Sequence, residues 1–427
     1  MYIIHTMTNL HKFLPRIQTS VLAQLLRAHP VVILHGARQT GKTTLARTPE
    51  IGGGRAYLTL DDFRVMELAQ TDAAALFIGR DRITLDEVQR HPDVLLAVKA
   101  DVDRKRVSGR FLLTGSANLL LMQKVSESLA GRAVYFPLPA LTWAEIEGRR
   151  FGHALDLILE KPSIEAFLDS LPESDPARPQ RSLSAAIFAG GYPVPSLSDD
   201  ASFRARWFDG YVQTYLERDL RDLSSTGSLV EFRRLMQMSA IHNGTLLNMA
   251  SIASDAGLSH PTARRYMDIL EVSFQIARIP AYAVSRGKRL IKSPKLLWTD
   301  TGLAAHLAGL YTEEALVNSR EWGRWLEAWV GIHLLTYAAL KTPKGSVCHW
   351  RTSNGHEVDF VLEYGRRLVP IEVKATSRPS GRDASGLNAF LKTYPDAPFG
   401  ILACPCESPQ VLSSTALALP LTQLLLS

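Results

Sequence analysis

The chain has 427 residues, with 48 Lys+Arg against 42 Asp+Glu, a formal net charge of +6 and a pI of about 9.2. That length exceeds what one hydrophobic core supports, so several domains are expected, and 21% charged with 46% hydrophobic residues describes an ordinary globular protein. Three cysteines, Cys348, Cys404 and Cys406, form neither a C-x-x-C redox motif nor a full metal set, so reduced thiols in a cytoplasmic protein are the expectation.

Met1-Tyr2-Ile3-Ile4-His5 lacks the basic start and long apolar core of a signal peptide. The most apolar long stretch, Trp325 to Leu340, contains Glu327 and His333 and is too short to cross a bilayer. It reads as a buried helix, and no membrane partner is expected. The mild basic excess permits a nucleic-acid partner without demanding one.

Residues 9–29 read as a helix, with Pro15 at its first turn and Leu22, Leu25 and Leu26 at helical spacing. Next, Val31-Val32-Ile33-Leu34 is the apolar run of a buried parallel strand. It leads into Gly36-Ala37-Arg38-Gln39-Thr40-Gly41-Lys42-Thr43-Thr44, which fits G-x-x-x-x-G-K-[ST] and opens a helix. Glycines let the backbone wrap a polyphosphate and turn N–H groups inward at a helix N-terminus, where the dipole favours an anion. Lys42 supplies a charge for the β/γ-phosphates and Thr43 a hydroxyl for Mg²⁺. Strand, motif and helix in register read as a P-loop that binds ATP, with a chance glycine loop as the weaker reading.

Gly52-Gly53-Gly54 is a turn and Ala56 to Leu60 a short strand. Asp61-Asp62 then either cap the following helix or lie near the nucleotide. Arg82 to Gln89 contains an apolar strand ending in Asp86-Glu87, as a Walker B element requires: Asp86 to hold Mg²⁺ and Glu87 to polarise the attacking water. A third apolar strand, Phe111 to Asn118, is expected beside it. At its polar end Ser116 or Asn118 senses the γ-phosphate or orients the water, or else N-caps the helix Leu119 to Val125. Arg132 reads either as an arginine finger toward a neighbouring subunit's nucleotide, which requires a homo-oligomer, or as a solvated arginine.

The P-loop, Leu85-Asp86-Glu87-Val88-Gln89, Leu113-Thr114-Gly115-Ser116-Ala117 and Leu129-Ala130-Gly131-Arg132 together resemble the AAA-type ATPases of bacteria and archaea that carry a C-terminal domain of unknown function. The Arg38-Gln39 pair, Gly190-Gly191-Tyr192-Pro193, Tyr215 to Leu220 and Lys295 with Thr299 to Leu303 are similar to that family as well. The resemblance covers nearly the whole chain and implies ATP binding with hydrolysis.

Ile158 to Ser170 reads as helix, Leu171 to Arg181 as a proline-rich surface loop, and Phe203 to Leu223 as a long amphipathic helix. Arg206 and Arg218 on that helix are either second sensors of nucleotide or ordinary surface arginines. Leu246 to Ala256, a turn at Gly257-Leu258-Ser259 and Ala263 to Leu270 have helix-turn-helix spacing, and Gln275 to Leu297 supplies a two-stranded wing. Arg264, Arg265, Arg286, Lys288, Arg289, Lys292 and Lys295 fall on the presumed recognition helix and wing, a face suited to the phosphates of double-stranded DNA. Winged helices in ATPases also serve as packing modules, so both readings stand.

In the last segment, a helix over 321–340 precedes strands Glu357 to Glu363 and Leu368 to Lys374 and a further helix near 385–394. Asp359 with Glu372-Val373-Lys374 resembles the catalytic signature of restriction-endonuclease-like folds, with Glu327 as a fourth member. Gly365-Arg366 suits a two-residue type II′ turn, which pairs Val358 with Val373, Phe360 with Ile371 and Leu362 with Val369 on one apolar face. The other face then sets Asp359 opposite Glu372 and Glu357 opposite Lys374. Carboxylates only about 5 Å apart repel, so Asp359 and Glu372 are candidate Mg²⁺ or Mn²⁺ ligands, with Lys374 activating a water. A solvated hairpin edge is the bland alternative.

The expected fold is α/β: an AAA-type parallel-sheet ATPase domain over 1–200, a helical lid and winged-helix region over 201–314, and a small endonuclease-like α/β domain over 315–427. The expected function is Mg²⁺-dependent ATP hydrolysis controlling a DNA-associated C-terminal half. The alternative is an ATP-dependent regulatory or scaffold switch without nuclease chemistry. A metabolic kinase is disfavoured because no acceptor-substrate motif accompanies Asp86-Glu87.

Overall fold

A computed structural model describes residues 14–116, 129–172, 179–223, 228–285, 287, 289 and 292–426. Five parallel strands form the N-terminal sheet: β1 (Val31–Gly36), β2 (Ala56–Thr59), β3 (Ile83–Asp86), β4 (Phe111–Ser116) and β5 (Ala133–Pro137), in the order β2-β3-β4-β1-β5. Val31 to Leu34 and Ile83 to Asp86 are buried on both sides, which is why they read as unbroken apolar runs. Because all five run the same way, the ends of β1, β2, β3 and β4 share one edge, where ligands of open α/β sheets bind. As expected, β4 lies beside the Asp86 strand, and it separates that strand from β1.

Two early expectations need correction. Helix α1 spans Thr19–Ala28; Pro15 precedes it, and residues 9–13 lie outside the described residues. The chain enters α1 late because Arg16 is turned inward onto Glu145. Ile158 to Ser170 is two helices, His153–Glu160 and Ile164–Leu168, since Pro162 interrupts the backbone ladder and Ser163 caps the second start.

The P-loop leads into α2 (Lys42–Ala46). Asp62 caps α3 (Phe63–Asp72), accepting from the N–H groups of Arg64 and Val65, and α4 (Val94–Arg104) follows β3. Then come α5 (Trp143–Glu147), α6 (Leu183–Ala189) and the long α7 (Ala201–Leu223).

The middle segment packs α8 (Leu229–Ile241), α9 (Met249–Asp255) and α10 (His260–Val272) around Phe232, Leu235, Ile252, Tyr266 and Leu270. Ser259 caps α10 by accepting from Thr262 N, and Pro261 sits in its first turn. Strands β6 (Ile276–Ile279) and β7 (Lys295–Trp298) pair antiparallel, and α11 (Thr301–Leu307) follows directly.

In the C-terminal segment, α12 (Trp322–Leu340) covers one face of a six-stranded mixed sheet and α13 (Ser385–Thr393) the other. Its strands are β8 (Ser346–Arg351), β9 (Glu357–Tyr364), β10 (Arg367–Val373), β11 (Gly400–Cys404), β12 (Gln410–Ser413) and β13 (Ala416–Pro420), ordered β12-β13-β11-β10-β9-β8. The hairpin has the expected register from Arg367–Tyr364 to Ile371–Phe360, with Gly365 at φ +61°.

Beyond Phe360 the expected pairing fails. Cys348 pairs with Val361 but Trp350 with Val358, so β9 carries an extra residue against β8. Val358 is thereby turned to the α13 side, while Phe360 and Leu362 stay with Val373 on the α12 side. Asp359 does not simply oppose Glu372; its Oδ2 accepts from Val373 N at 2.9 Å. The three cysteines are free and buried. Among the described residues no helix is long and apolar enough to cross a membrane.

Candidate functional site

The loop from Gly36 to Thr43 curls over the ends of β1 and β3. A Cβ on Gly36 would lie 2.3 Å from Leu138 O, and Gly41 adopts φ +90°, so both positions demand glycine. Lys42 Nζ donates to Gly36 O at 3.1 Å and Ala37 O at 2.7 Å, which holds its ammonium inside the loop. Thr43 Oγ1 donates to Asp86 Oδ2 at 2.8 Å. Hydroxyls of Tyr57 and Thr114 and the N–H of Glu87 also donate to Asp86, so that carboxylate is oriented from four directions. Burial and the Asp86 hydrogen bond push the Tyr57 phenol above its ordinary pKa, keeping it a donor.

Glu87 follows in the left-handed region at φ 58° and ψ 40°. Such a conformation costs a non-glycine residue about 1–3 kcal/mol and collects at functional sites. Here it turns the side chain away from the strand direction, and the Gln89 amide donates to its Oε2. Glu87, Asp61, Arg38, Gln39 and Thr43 line a cleft of about 330 Å³ with Lys42. Pro193, which closes the Gly190-Gly191-Tyr192-Pro193 stretch, and Val194 after it also line the cleft.

Two supports of this cleft escaped sequence reasoning. Arg16 Nε pairs with Glu145 Oε1 at 2.8 Å, Nη1 donates to Thr40 O at 2.7 Å and Nη2 to Pro139 O at 2.7 Å. Glu145 Oε2 in turn accepts from Thr142, closing a capping box at the start of α5. Asp300 is fully buried and accepts from Leu303 N, Gly191 N and Tyr192 N, so it fixes the residues just before Pro193. Burial raises the Asp300 pKa, and those N–H groups oppose the rise.

Other predicted residues lie elsewhere. The backbone of Ser116 is level with Gly36 across β4 and β1, while Asn118 lies outside the described residues. Arg132 immediately precedes β5, at the end of the sheet away from the P-loop, and pairs with Asp103 at 2.5 Å. Arg206 is exposed on α7 and does not line the cleft.

The basic residues assigned to the wing divide sharply. Arg264 and Arg265 are exposed on α10 and Lys292 is exposed, while Arg286 and Lys288 lie outside the described residues. Arg289 is committed to Glu363 through two hydrogen bonds of 2.6 and 3.3 Å. Lys295 is buried at the start of β7 and pairs with Glu327 and, at 3.4 Å, with Asp359. Neither Arg289 nor Lys295 belongs to a phosphate-facing surface.

Lys295 therefore joins the predicted C-terminal constellation, where Glu327, Asp359 and Glu372 converge. Lys374 Nζ lies 2.6 Å from Glu372 Oε1, and Glu372 Oε2 is buried without a hydrogen-bond partner among the described residues. Burial, then the charge of Asp359, pushes Glu327 up to about 8 and Glu372 up to about 7. Burial opposes the charge on Lys295, yet Glu327 and Asp359 outweigh it and raise its pKa. Among the described residues no three His, Cys, Asp or Glu side chains are disposed to hold a metal ion. Two ammoniums offset these carboxylates, Lys295 beside Glu327 and Asp359 and Lys374 beside Glu372.

Comparison with known proteins agrees with this architecture. A family model described as an AAA domain matches residues 28–147, and models described as domains of unknown function, DUF8612 and DUF4143, match 180–314 and 322–424. The chain is 32% identical over 406 residues to uncharacterized protein Rv2008c of Mycobacterium tuberculosis and to uncharacterized protein Mb2031c of Mycobacterium bovis. Each match covers 95% of this chain and 83% of the relative. Among solved structures, the Walker-type ATPase PABY2304 of Pyrococcus abyssi aligns with a TM-score of 0.41 at 14% identity, over 69% of this chain and 96% of that one. A RuvB structure of Thermotoga maritima aligns with a TM-score of 0.29 at 19% identity, over 63% and 91%. The sequence relatives carry the assignment: this chain belongs to the same family as the two mycobacterial proteins, with an AAA domain followed by a C-terminal domain of unknown function.

Proposed function

We propose that the protein binds ATP with Mg²⁺ and hydrolyses it, and that the nucleotide cycle acts on the C-terminal half. The observation that carries this reading is the meeting of Thr43 and Asp86 at 2.8 Å beneath Lys42, with Glu87 on the same cleft. These residues fit the ion's chemistry: Thr43 and Asp86 offer hard oxygen ligands, Asp86 through water. Backbone N–H groups from Gly36 to Thr44 hold the phosphates, Lys42 neutralises the β/γ oxygens, and Glu87 takes a proton from the attacking water. Ser116 is the residue we assign to sensing the γ-phosphate. In a homo-oligomer Arg132 would serve a neighbouring subunit's nucleotide after leaving Asp103, with which it pairs here. Steady-state hydrolysis by the full chain, with Mg²⁺ and with or without duplex DNA, tests the reading; no turnover under either condition sinks it.

For the C-terminal half, the sequence points to metal-dependent cleavage of DNA by Asp359, Glu372 and Lys374. As arranged, the cluster does not fit a divalent ion, because the Lys295 ammonium lies between Glu327 and Asp359. This favours an ATP-dependent switch whose C-terminal carboxylates are closed off in the present conformation. Stimulation of ATP hydrolysis by DNA, without nicking of that DNA in Mg²⁺ or Mn²⁺, is the result expected of such a switch.

A further inference from the structure

We propose that a basic groove at the end of the N-terminal sheet away from the P-loop is a docking site for the phosphodiester backbone of duplex nucleic acid. The groove is built from residues outside the ATP cleft and outside the exposed arginines of α10, so it stands whether or not the protein hydrolyses ATP.

The parallel sheet itself gathers the charge. Arg55, Arg82 and Arg110 each stand one residue before a strand, β2, β3 and β4 in turn. Those strand starts are level, Ala56 pairing with Ile83 and Ile83 with Phe111, so three arginines lie side by side along one edge. Beside this row, the turn after Phe77 brings Arg80, and the end of α4 brings Arg104 and Lys105. Arg80, Arg82, Arg104, Lys105 and Arg110 line a groove of about 1070 Å³ together with the carboxylates of Asp81 and Asp101. Five cations against two carboxylates place half of the chain's net charge of +6 around one depression. A lone arginine at a helix C-terminus, such as Arg104, is ordinary; this density is not.

Part of the set is anchored and part is left over. Arg110 Nε donates to Asp101 Oδ2 at 2.7 Å and its Nη1 to Arg80 O, while Arg80 Nη1 donates to Leu76 O at 2.9 Å. Side chains already held in place lose less freedom when they meet a ligand. Asp101 also takes Arg104 at 2.9 Å, so one carboxylate serves two guanidiniums. Arg82 and Lys105 are exposed and, among the described residues, their side chains have no hydrogen-bond or ion-pair partner. Burial, and then the charge of Arg82, lowers the Arg55 pKa, as positive potential with too few counter-charges requires. The occupant follows from the lining. Its exposed apolar residues, Ile78 and Val107, are aliphatic, and the Phe77 ring is buried against Phe111 with centroids 5.0 Å apart. The described residues therefore give unpaired bases no ring to stack on. Cations without stacking platforms suit a backbone whose bases are already paired, held by charge and not by sequence.

The test uses the full-length protein without nucleotide and a fluorescein-labelled DNA duplex of mixed sequence, with anisotropy read across a salt series. Arg82→Glu combined with Lys105→Glu removes no described side-chain contact. It should weaken binding at low salt and lower the slope of log K against log salt by about 2, near one released counterion per lost phosphate contact. The charge-conserving exchange, Arg82→Lys with Lys105→Arg, should keep the wild-type slope. Reversing Arg264 and Arg265 perturbs the other basic face, and the groove's share of the slope should survive that change. A wild-type slope in the charge-reversed variant overturns the proposal, as does an absence of duplex binding at low salt. An equal loss in the exchanged and the reversed variants overturns it too, because charge is then not the cause. A glutamate polymer that displaces the duplex at equal charge concentration, and loses affinity in the reversed variant, would assign the groove to an acidic protein segment instead.

Discussion

Thr43 Oγ1 and Asp86 Oδ2 lie 2.8 Å apart, although 43 positions separate them in the chain. Their meeting joins the helix after the P-loop to the end of β3, so the two side chains proposed as Mg²⁺ ligands hold each other in place. Preorganisation of this kind is what lets positioning and electrostatics carry phosphoryl transfer.

Glu87→Gln should therefore keep ATP affinity near the wild-type value while kcat falls by about 10²-fold or more, the usual worth of a general base. Lys42→Ala should instead lose nucleotide affinity. Fluorescent-nucleotide binding alongside steady-state hydrolysis separates the two. Wild-type turnover in Glu87→Gln would reassign the catalytic glutamate.

The Arg16–Glu145 pair has side chains only 6% and 1% exposed, and it supports the P-loop through Thr40 O. Removing one partner of a buried ion pair strands the other, at about 3–5 kcal/mol. Arg16→Ala should show that loss in denaturant unfolding and should also weaken nucleotide binding. Arg16→Lys should rescue little, since a single ammonium cannot reach Glu145, Thr40 and Pro139 together.

Duplex DNA binding, where it occurs, should depend on Arg264 and Arg265 and be insensitive to the charge of Lys295. Reversing both exposed arginines to Glu should reduce the slope of log K against log salt by about 2, from roughly one released counterion per phosphate contact. Fluorescence anisotropy across a salt series measures it. An unchanged slope would make this helix a packing module.

What was legible in the sequence is what short-range rules encode. Residues 36–44 and 83–87 carry their chemistry in contiguous motifs, and the Gly365-Arg366 turn predicted the hairpin register through Ile371. The register failed at Val358 because its cause, the bulge against β8, involves a strand whose sequence, Ser346 to Arg351, has no clear alternation. Lys295 was misread for a related reason. A lysine near a basic run suggests a solvated face, and only the packing of β7 against α12 and β9 buries it. Arg16 and Glu145, 129 positions apart, leave no local signal at all.

His333 supplies a pH-dependent test of the packing between α12 and α5. Its Nε2 accepts the Trp143 N–H at 3.0 Å and its Nδ1 donates to Trp329 O at 2.8 Å, so the ring must be neutral with its proton on Nδ1. Burial lowers its pKa to about 4, and protonation would set an N–H against the Trp143 N–H. Because the folded value lies below the unfolded one, this contribution is fully present above about pH 6.5. It declines as pH falls toward 4, by up to about 3 kcal/mol at 1.36 kcal/mol per unit. His333→Gln retains an acceptor for Trp143 but cannot titrate. Its denaturation free energy should therefore fall less steeply than that of the wild type between pH 6.5 and 4, while carboxylate titration affects both proteins alike. Parallel curves for the two proteins over that range would show that His333 is not the group linking acid to the loss of this packing.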